Sequence, residues 1–248
     1  MKHGWITPDW PAPANVRAFV TTRSGGVSVG PRASLNLGYK AGDDPKAVTQ
    51  NRAIVETVLP RPACWLAQMH GTRVVDADTC EGVPEADASV ACRAGTVCTI
   101  MTADCLPVLF TNRAGTRVAA AHAGWRGLSG GVLANTVARL VAAGDAPADL
   151  MAWIGPGIGP TAFEVGADVY EAFVTSDAEA SQHFKPRGAH APDKWLANLF
   201  GLAHRALVRA GVKHISGGGL CTYTDSARFF SYRRDKNCGR MAAFIWRA

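Results

Sequence analysis

Cys105 and His122 stand 17 positions apart, and "NRAG" at 112–115 lies between them as a turn signal. The run Leu106 to Thr111 reads as one strand and Arg117 to His122 as the strand that returns beside it, which makes a hairpin. Hairpin geometry brings the start of the first strand to the end of the second, so Cys105 and His122 become neighbours. Val118, Ala120 and His122 then share one face of the second strand. A second histidine, His70, follows the apolar run "ACWLAQ" and precedes Gly71. Strand ends of this kind are where sites tend to be built, on loops held by a rigid scaffold.

One Cys and two His meeting in space would offer three metal ligands and leave a fourth position open, the pattern of a catalytic zinc. Bound zinc lowers the pKa of water or polarises a substrate oxygen. The same residues also allow a metal-free reading, with Cys105 as nucleophile and His122 as its base. Spacing alone leaves both open, together with the plainer possibility of one core cysteine and two unrelated histidines. Asp104 sits in the apolar stretch "TADCLPVLF", where an unpartnered carboxylate is costly. Alternation along a regular strand would turn it away from Cys105 and let it orient a histidine.

These residues need a scaffold, and the pattern is that of a mixed α/β fold. Strand-like runs occur at 16–22, 63–67, 96–101, 106–111, 117–122, 150–155 and 241–246. Helical periodicity covers 45–59, 129–143, 167–178 and 192–210, the last with Pro192 near its start and Gly211 just past its end. No linker-like stretch interrupts the 248 residues, so the chain reads as one catalytic domain, 1–248.

Composition narrows the function. Seven cysteines without a C-x-x-C pair argue against a disulfide framework or zinc ribbon, and most read as reduced packing residues. The N-terminus lacks the apolar region of a secretion signal and no run is long enough to span a membrane, so a cytoplasmic protein with no membrane partner is expected. The net charge of +6 is scattered, with Arg outnumbering Lys 19 to 7, which favours small anionic ligands over nucleic acid. Arg23 beside a Gly-Gly turn in "TTRSGGVS", and Phe229, Phe230, Tyr232, Arg233 and Arg234 in the segment 220–240, are the residue types that hold anions and rings. Neither a P-loop nor a dinucleotide fingerprint is present.

"TRSGGVS", "SLNLG", "QMHG", "TADCLPVLF", "AAAHAGWRG", "WIGPGIGP" with "FEVG", and "FFSYRRD" with "GR" occur in this order from about Thr21 to Ile245. In this the chain resembles the YfiH family, also called the purine nucleoside phosphorylase or peptidoglycan editing factor family. The resemblance implies a four-layer α/β/β/α sandwich of mixed sheets, shared with deamidating toxins that use a Cys–His pair. It implies zinc on His70, Cys105 and His122, which would also be the catalytic residues. Arg23, Asn36, Arg126, Phe230 and Arg233 are the candidate substrate contacts by residue type and position. The implied activity is phosphorolysis of adenosine, inosine, guanosine and methylthioadenosine to base and ribose 1-phosphate, with adenosine deamination beside it. The alternatives are a Cys–His amidase editing a UDP-muramyl precursor that carries serine, and a non-catalytic purine-binding module. Two positions depart from the family pattern, Cys238 before "GR" and Asn198 in "WLANL". An older label for the family, multicopper laccase, fits poorly: such oxidases use His-x-His pairs, and none of the seven His here forms one. A single copper in place of zinc is compatible with a Cys/His₂ donor set.

Overall fold

Apolar runs become strands whose alternate residues face different layers, and this sorting defines the architecture. A computed structural model describes residues 4–188 and 191–248. The strands are β1 (Val16–Val20), β2 (Ala63–Cys64), β3 (Val74–Asp76), β4 (Ala88–Ala91), β5 (Val97–Thr102), β6 (Leu106–Asn112) and β7 (Val118–Ala123), followed by β8 (Leu150–Ile154), β9 (Glu164–Val165), β10 (Phe184–Pro186), β11 (Trp195–Ala197), β12 (His214–Gly217) and β13 (Met241–Arg247). The helices are α1 (Pro45–Glu56), α2 (Trp125–Gly130), α3 (Val132–Ala142), α4 (Ala167–Val174), α5 (Leu199–Arg209) and the short α6 (Tyr232–Asp235).

A four-stranded sheet has the order β1-β13-β5-β2 and a six-stranded sheet the order β12-β8-β6-β7-β4-β3. Both are mixed: β2 runs parallel to β5, β3 to β4 and β12 to β8, while the other pairs in them are antiparallel. A small third sheet, β10-β11-β9, lies at the helical side. Ile100, Ala243 and Ile245 of the first sheet pack against Leu109, Val118, Ala120 and Trp153 of the second. The other residues of the six-stranded sheet, such as Val108, Phe110, Ala119 and Ala121, meet Leu133, Val137 and Leu140 of α3 and Leu207 of α5. On the far side, Phe19 and Phe244 pack with Leu35, Leu37 and Val55 of α1. The layers are therefore α/β/β/α, and β6 is buried throughout because both of its faces are covered.

Three expectations need correction. The helix read over 192–210 begins only at Leu199: Trp195–Ala197 pair with β10 and β9, and Asn198 caps the helix by accepting from the Gly201 N–H at 3.0 Å. The helix read over 129–143 is broken at Gly131, whose φ of 98° ends α2 before α3 starts. Cys64 and Cys80 are not reduced packing residues but a disulfide, with Cα atoms 6.2 Å apart. Pairing of β2 with β5 and the turn after β3 bring the two together, a contact that cysteine spacing does not reveal. Among the described residues, no helix is long and apolar enough to cross a membrane.

Candidate active site

The hairpin of β6 and β7 pairs Pro107 with His122 and Leu106 with Ala123, so Cys105, one residue before β6, lies beside the end of β7. His70 arrives from a separate loop in which it takes a left-handed backbone, φ 59°. A non-glycine residue seldom adopts that conformation without being held there. The holder is Asp87, which stands just before β4 and is 1% exposed. Its carboxylate accepts the backbone N–H groups of Met69 at 3.1 Å, His70 at 2.9 Å and Gly71 at 2.7 Å. Oδ1 of the same carboxylate lies 2.8 Å from Nδ1 of His122. One side chain thus positions both histidines.

The result is a three-residue cluster. Single ligand atoms of His70, Cys105 and His122 all lie within 4.8 Å of one another, and Sγ of Cys105 is 3.8 Å from Nε2 of His70. The imidazole rings meet edge to face with centroids 4.8 Å apart. His122 is buried, Cys105 half-buried and His70 exposed, so the cluster opens to one side. Space is kept for it by Gly124, where a Cβ would come within 2.8 Å of Cys105 Sγ and 2.9 Å of His70 Cδ2.

Electrostatics follow from the packing. Burial alone would push the Cys105 thiol up, but the charge and hydrogen bond of His122, with His70 beside it, bring it down to about 6. Burial likewise opposes protonation of His122, yet Cys105 and Asp87 raise it to about 9. Asp87 is held below its ordinary value: burial works against this, and hydrogen bonds from His122 and the Gly71 N–H outweigh it. A soft sulfur and two imidazoles, one oriented by a carboxylate on its remote nitrogen, suit a borderline metal such as zinc. Among the described residues this is one group of three or more such donors, and its size does not suit a multinuclear copper centre.

The cluster lies on the wall of a cavity of about 710 Å³. Arg126 and Arg233 line it. Arg126 lies over the Trp125 ring, and Arg233 is anchored through Nη1 to the Glu164 carbonyl at 2.7 Å. Arg23, Asn36 and Phe230 do not line it. Arg23 donates to the Ala33 and Ser226 carbonyls and covers the Phe230 ring, while Phe230 is fully buried with Phe229 and Met241. Asn36 is fully buried and bonds Asp43, Gly38 and the Arg240 N–H. Asp104 does not orient a histidine. Its φ of 92° takes it out of strand alternation, and its carboxylate accepts from Thr222 Oγ1 and the Arg233 N–H, each at 2.6 Å.

Residues that the sequence reading passed over complete the site. Asp87 was detectable by the criterion that singled out Asp104, a carboxylate at the edge of an apolar run, here "ADASVA". Trp65, Arg52, Phe163 and Arg240 also line the cavity; Phe163 and Arg240 stand in the motifs "FEVG" and "GR", while no local pattern marks Trp65 and Arg52.

Known proteins share this sequence and fold. A family model described as multi-copper polyphenol oxidoreductase laccase matches residues 17–248. A Pseudomonas aeruginosa protein named purine nucleoside phosphorylase is 54% identical over 245 residues, covering 98% of each chain. The Escherichia coli protein named purine nucleoside phosphorylase YfiH is 52% identical over 247 residues, covering 97% of this chain and 98% of that one. The crystal structure of Neisseria meningitidis protein NMB0706 superposes with a TM-score of 0.94 at 52% identity, over 98% of both chains.

Proposed function

The chain belongs to the family of that matched laccase-like model, and from its relatives' names and its own site we propose that it is a metal-dependent purine nucleoside phosphorylase. The observation that carries this reading is the convergence of His70, Cys105 and His122 on a cavity lined by arginines and aromatic rings. In the reaction the C1′–N9 bond of the nucleoside breaks, its electron pair leaves with the base, and a phosphate oxygen bonds to C1′. The ribosyl group passes through a cationic state, and the negative charge of the phosphate held beside C1′ lowers that barrier.

Arg126 and Arg233 bind the phosphate, and their anchoring to Trp125 and Glu164 limits the freedom lost on binding. Phe163, under the Arg233 guanidinium at 5.3 Å, offers a flat apolar surface to the base or sugar. Asp87 holds the Nδ1–H of His122, which leaves Nε2 with its lone pair toward the cluster. Zinc held by His70, Cys105 and His122 would supply Lewis-acid polarisation of phosphate, a sugar hydroxyl, or water aimed at purine C6, the last use giving adenosine deamination. Incubation with adenosine with and without phosphate, followed by mass spectrometry of the products, tests the reading. Phosphate-dependent adenine and ribose 1-phosphate, absent in Cys105→Ala, are expected; no turnover in either condition removes it.

One observation favours a second reading. Asp87, His122 and Cys105 form a carboxylate–imidazole–thiol series, with the thiol drawn down to about 6. Without metal the thiolate could attack an amide carbonyl of a muramyl precursor while His122 protonates the departing amine. A chelator separates the two: it abolishes metal-dependent phosphorolysis and spares thiolate chemistry.

A further inference from the structure

Asp104 has no part in the chemistry proposed above, although its placement is unfavourable on two counts. It is a carboxylate only 9% exposed in an apolar wall, and its φ of 92° is one that residues other than glycine seldom take. Among the described residues it forms no ion pair. Both of its oxygens are nevertheless engaged, Oδ1 by the Thr222 hydroxyl and Oδ2 by the Arg233 backbone N–H, each at 2.6 Å. An arrangement of this kind persists only where the surroundings hold it.

The two contacts join segments 118 and 129 positions away along the chain. Arg234 closes the circuit, since its Nη1 donates to the Thr222 carbonyl at 2.8 Å. The loop at 157–158 joins from another side. Its Ile158 N–H donates to the Asp104 carbonyl at 2.8 Å, and the Thr222 N–H donates to the Gly157 carbonyl at 2.9 Å. Gly157 permits that approach: a Cβ there would come within 2.9 Å of the Asp104 carbonyl oxygen and 2.3 Å of Leu106 Cδ2. Asp104 is therefore the point at which the loops at 157–158, 220–222 and 232–234 are fixed to one another. The planar peptide that follows it leads directly to Cys105.

Arg233 is the residue this junction places. Its backbone is held by Asp104, and its guanidinium by the Glu164 carbonyl at 2.7 Å and the Phe163 ring at 5.3 Å. We infer that Asp104 is a positioning residue. It sets Arg233, one of the two arginines assigned to phosphate, in register with Cys105, so that the anion is bound beside the metal-ligand cluster. This inference rests on the phosphorylase reading for the identity of the anion, whereas the junction rests only on the contacts around Asp104.

Calorimetric titration of inorganic phosphate into the purified protein, beside adenosine phosphorolysis at varied phosphate, tests it. Asp104→Gly accepts the positive φ and removes both side-chain contacts. It should weaken phosphate binding and raise the KM for phosphate by at least about tenfold, and leave the KM for adenosine within about twofold. Asp104→Asn should recover most of the loss: its amide oxygen accepts the Arg233 N–H, and its NH₂ donates to a Thr222 hydroxyl that now accepts. Thr222→Val should show part of the loss, and Thr222→Ser should restore it. Arg233→Ala keeps the backbone N–H, so adding Asp104→Gly to it should weaken phosphate binding no further. An aspartate with a merely structural role would give additive losses in that pair and impair adenosine equally. Phosphate affinity within about twofold of wild type in Asp104→Gly, additive losses in the double variant, or no phosphate binding by the wild type overturns the inference. If Asp104→Gly fails to fold, Thr222→Val against Thr222→Ser decides on the same titration, and equal phosphate affinity in those two overturns it. Phosphorolysis with phosphate affinity unmoved by Asp104→Gly removes this inference alone; phosphate binding weakened by Asp104→Gly in a protein that turns over no adenosine removes only the proposed reaction.

Discussion

Asp87 and His122 are joined twice: Oδ1 of the aspartate lies 2.8 Å from the imidazole Nδ1, and the His122 backbone N–H donates to the Asp87 carbonyl at 2.7 Å. The second contact belongs to the strand-to-strand register and survives side-chain substitution. The first fixes the ring, and the same carboxylate also fixes the loop that carries His70. Asp87→Ala should release both histidines and lower metal affinity by about 10–100-fold, the usual effect of losing a carboxylate behind a ligating histidine. Asp87→Asn keeps an acceptor for part of the loop, so it should lose less than Asp87→Ala. Metal content after dialysis, measured beside the phosphorolysis rate, checks this order; equal and full occupancy in both variants contradicts it.

Gly124 gives a test that leaves the ligands themselves in place. A Cβ at this position would overlap both Cys105 Sγ and His70 Cδ2. Gly124→Ala should therefore shift the cluster by a fraction of an ångström and cut turnover by at least about tenfold, as misplacement of reacting groups does. Far-ultraviolet circular dichroism should stay unchanged, because the φ of −69° at Gly124 is open to alanine. Wild-type rates in this variant would show that the cluster takes no part in the reaction.

Metal removal supplies a third prediction. Prolonged chelation should abolish adenosine phosphorolysis, and zinc should restore it in the wild type but not in His70→Ala or Cys105→Ala. In the stripped protein Cys105 should react with iodoacetamide near neutral pH, because its thiol is drawn down to about 6, and zinc should protect it. Rates of alkylation with and without zinc, mapped by peptide mass spectrometry, make the measurement.

The acid limit of stability has a named contributor away from the site. Asp177 is gripped by Arg205 and by Arg209, the latter at 2.7 Å. The Arg205 hydrogen bond, working against burial and helped by Arg209, lowers its pKa from 3.8 to about 2. A folded-state pKa below the unfolded one means stabilisation that is complete above about 4 and lost as pH falls toward about 2. Asp177→Asn should melt below the wild type at pH 7 and converge with it near pH 2. Thermal melts across that range check the sign; a constant gap at every pH contradicts it.

Much of this was legible in the chain. The hairpin that joins Cys105 to His122 follows from two apolar runs and a short polar turn, which are local features. The motif order already resembled the family to which the chain belongs, and that resemblance carried the layered sandwich. What the chain could not disclose depends on non-local pairing. Asp87 reaches His122 only because β4 lies beside β7, with the loop of His70 folded over that edge. Asp104 left strand alternation because its backbone turned to positive φ, which sent its carboxylate to Thr222. Phe230, aromatic and near arginines, looked like a stacking residue and is core, since the Arg23 guanidinium and the Phe229 layer close over it. Residue type and spacing determined the available chemistry; tertiary structure decided which groups share a wall of the cavity, because that depends on strand order and side-chain direction between segments far apart in sequence.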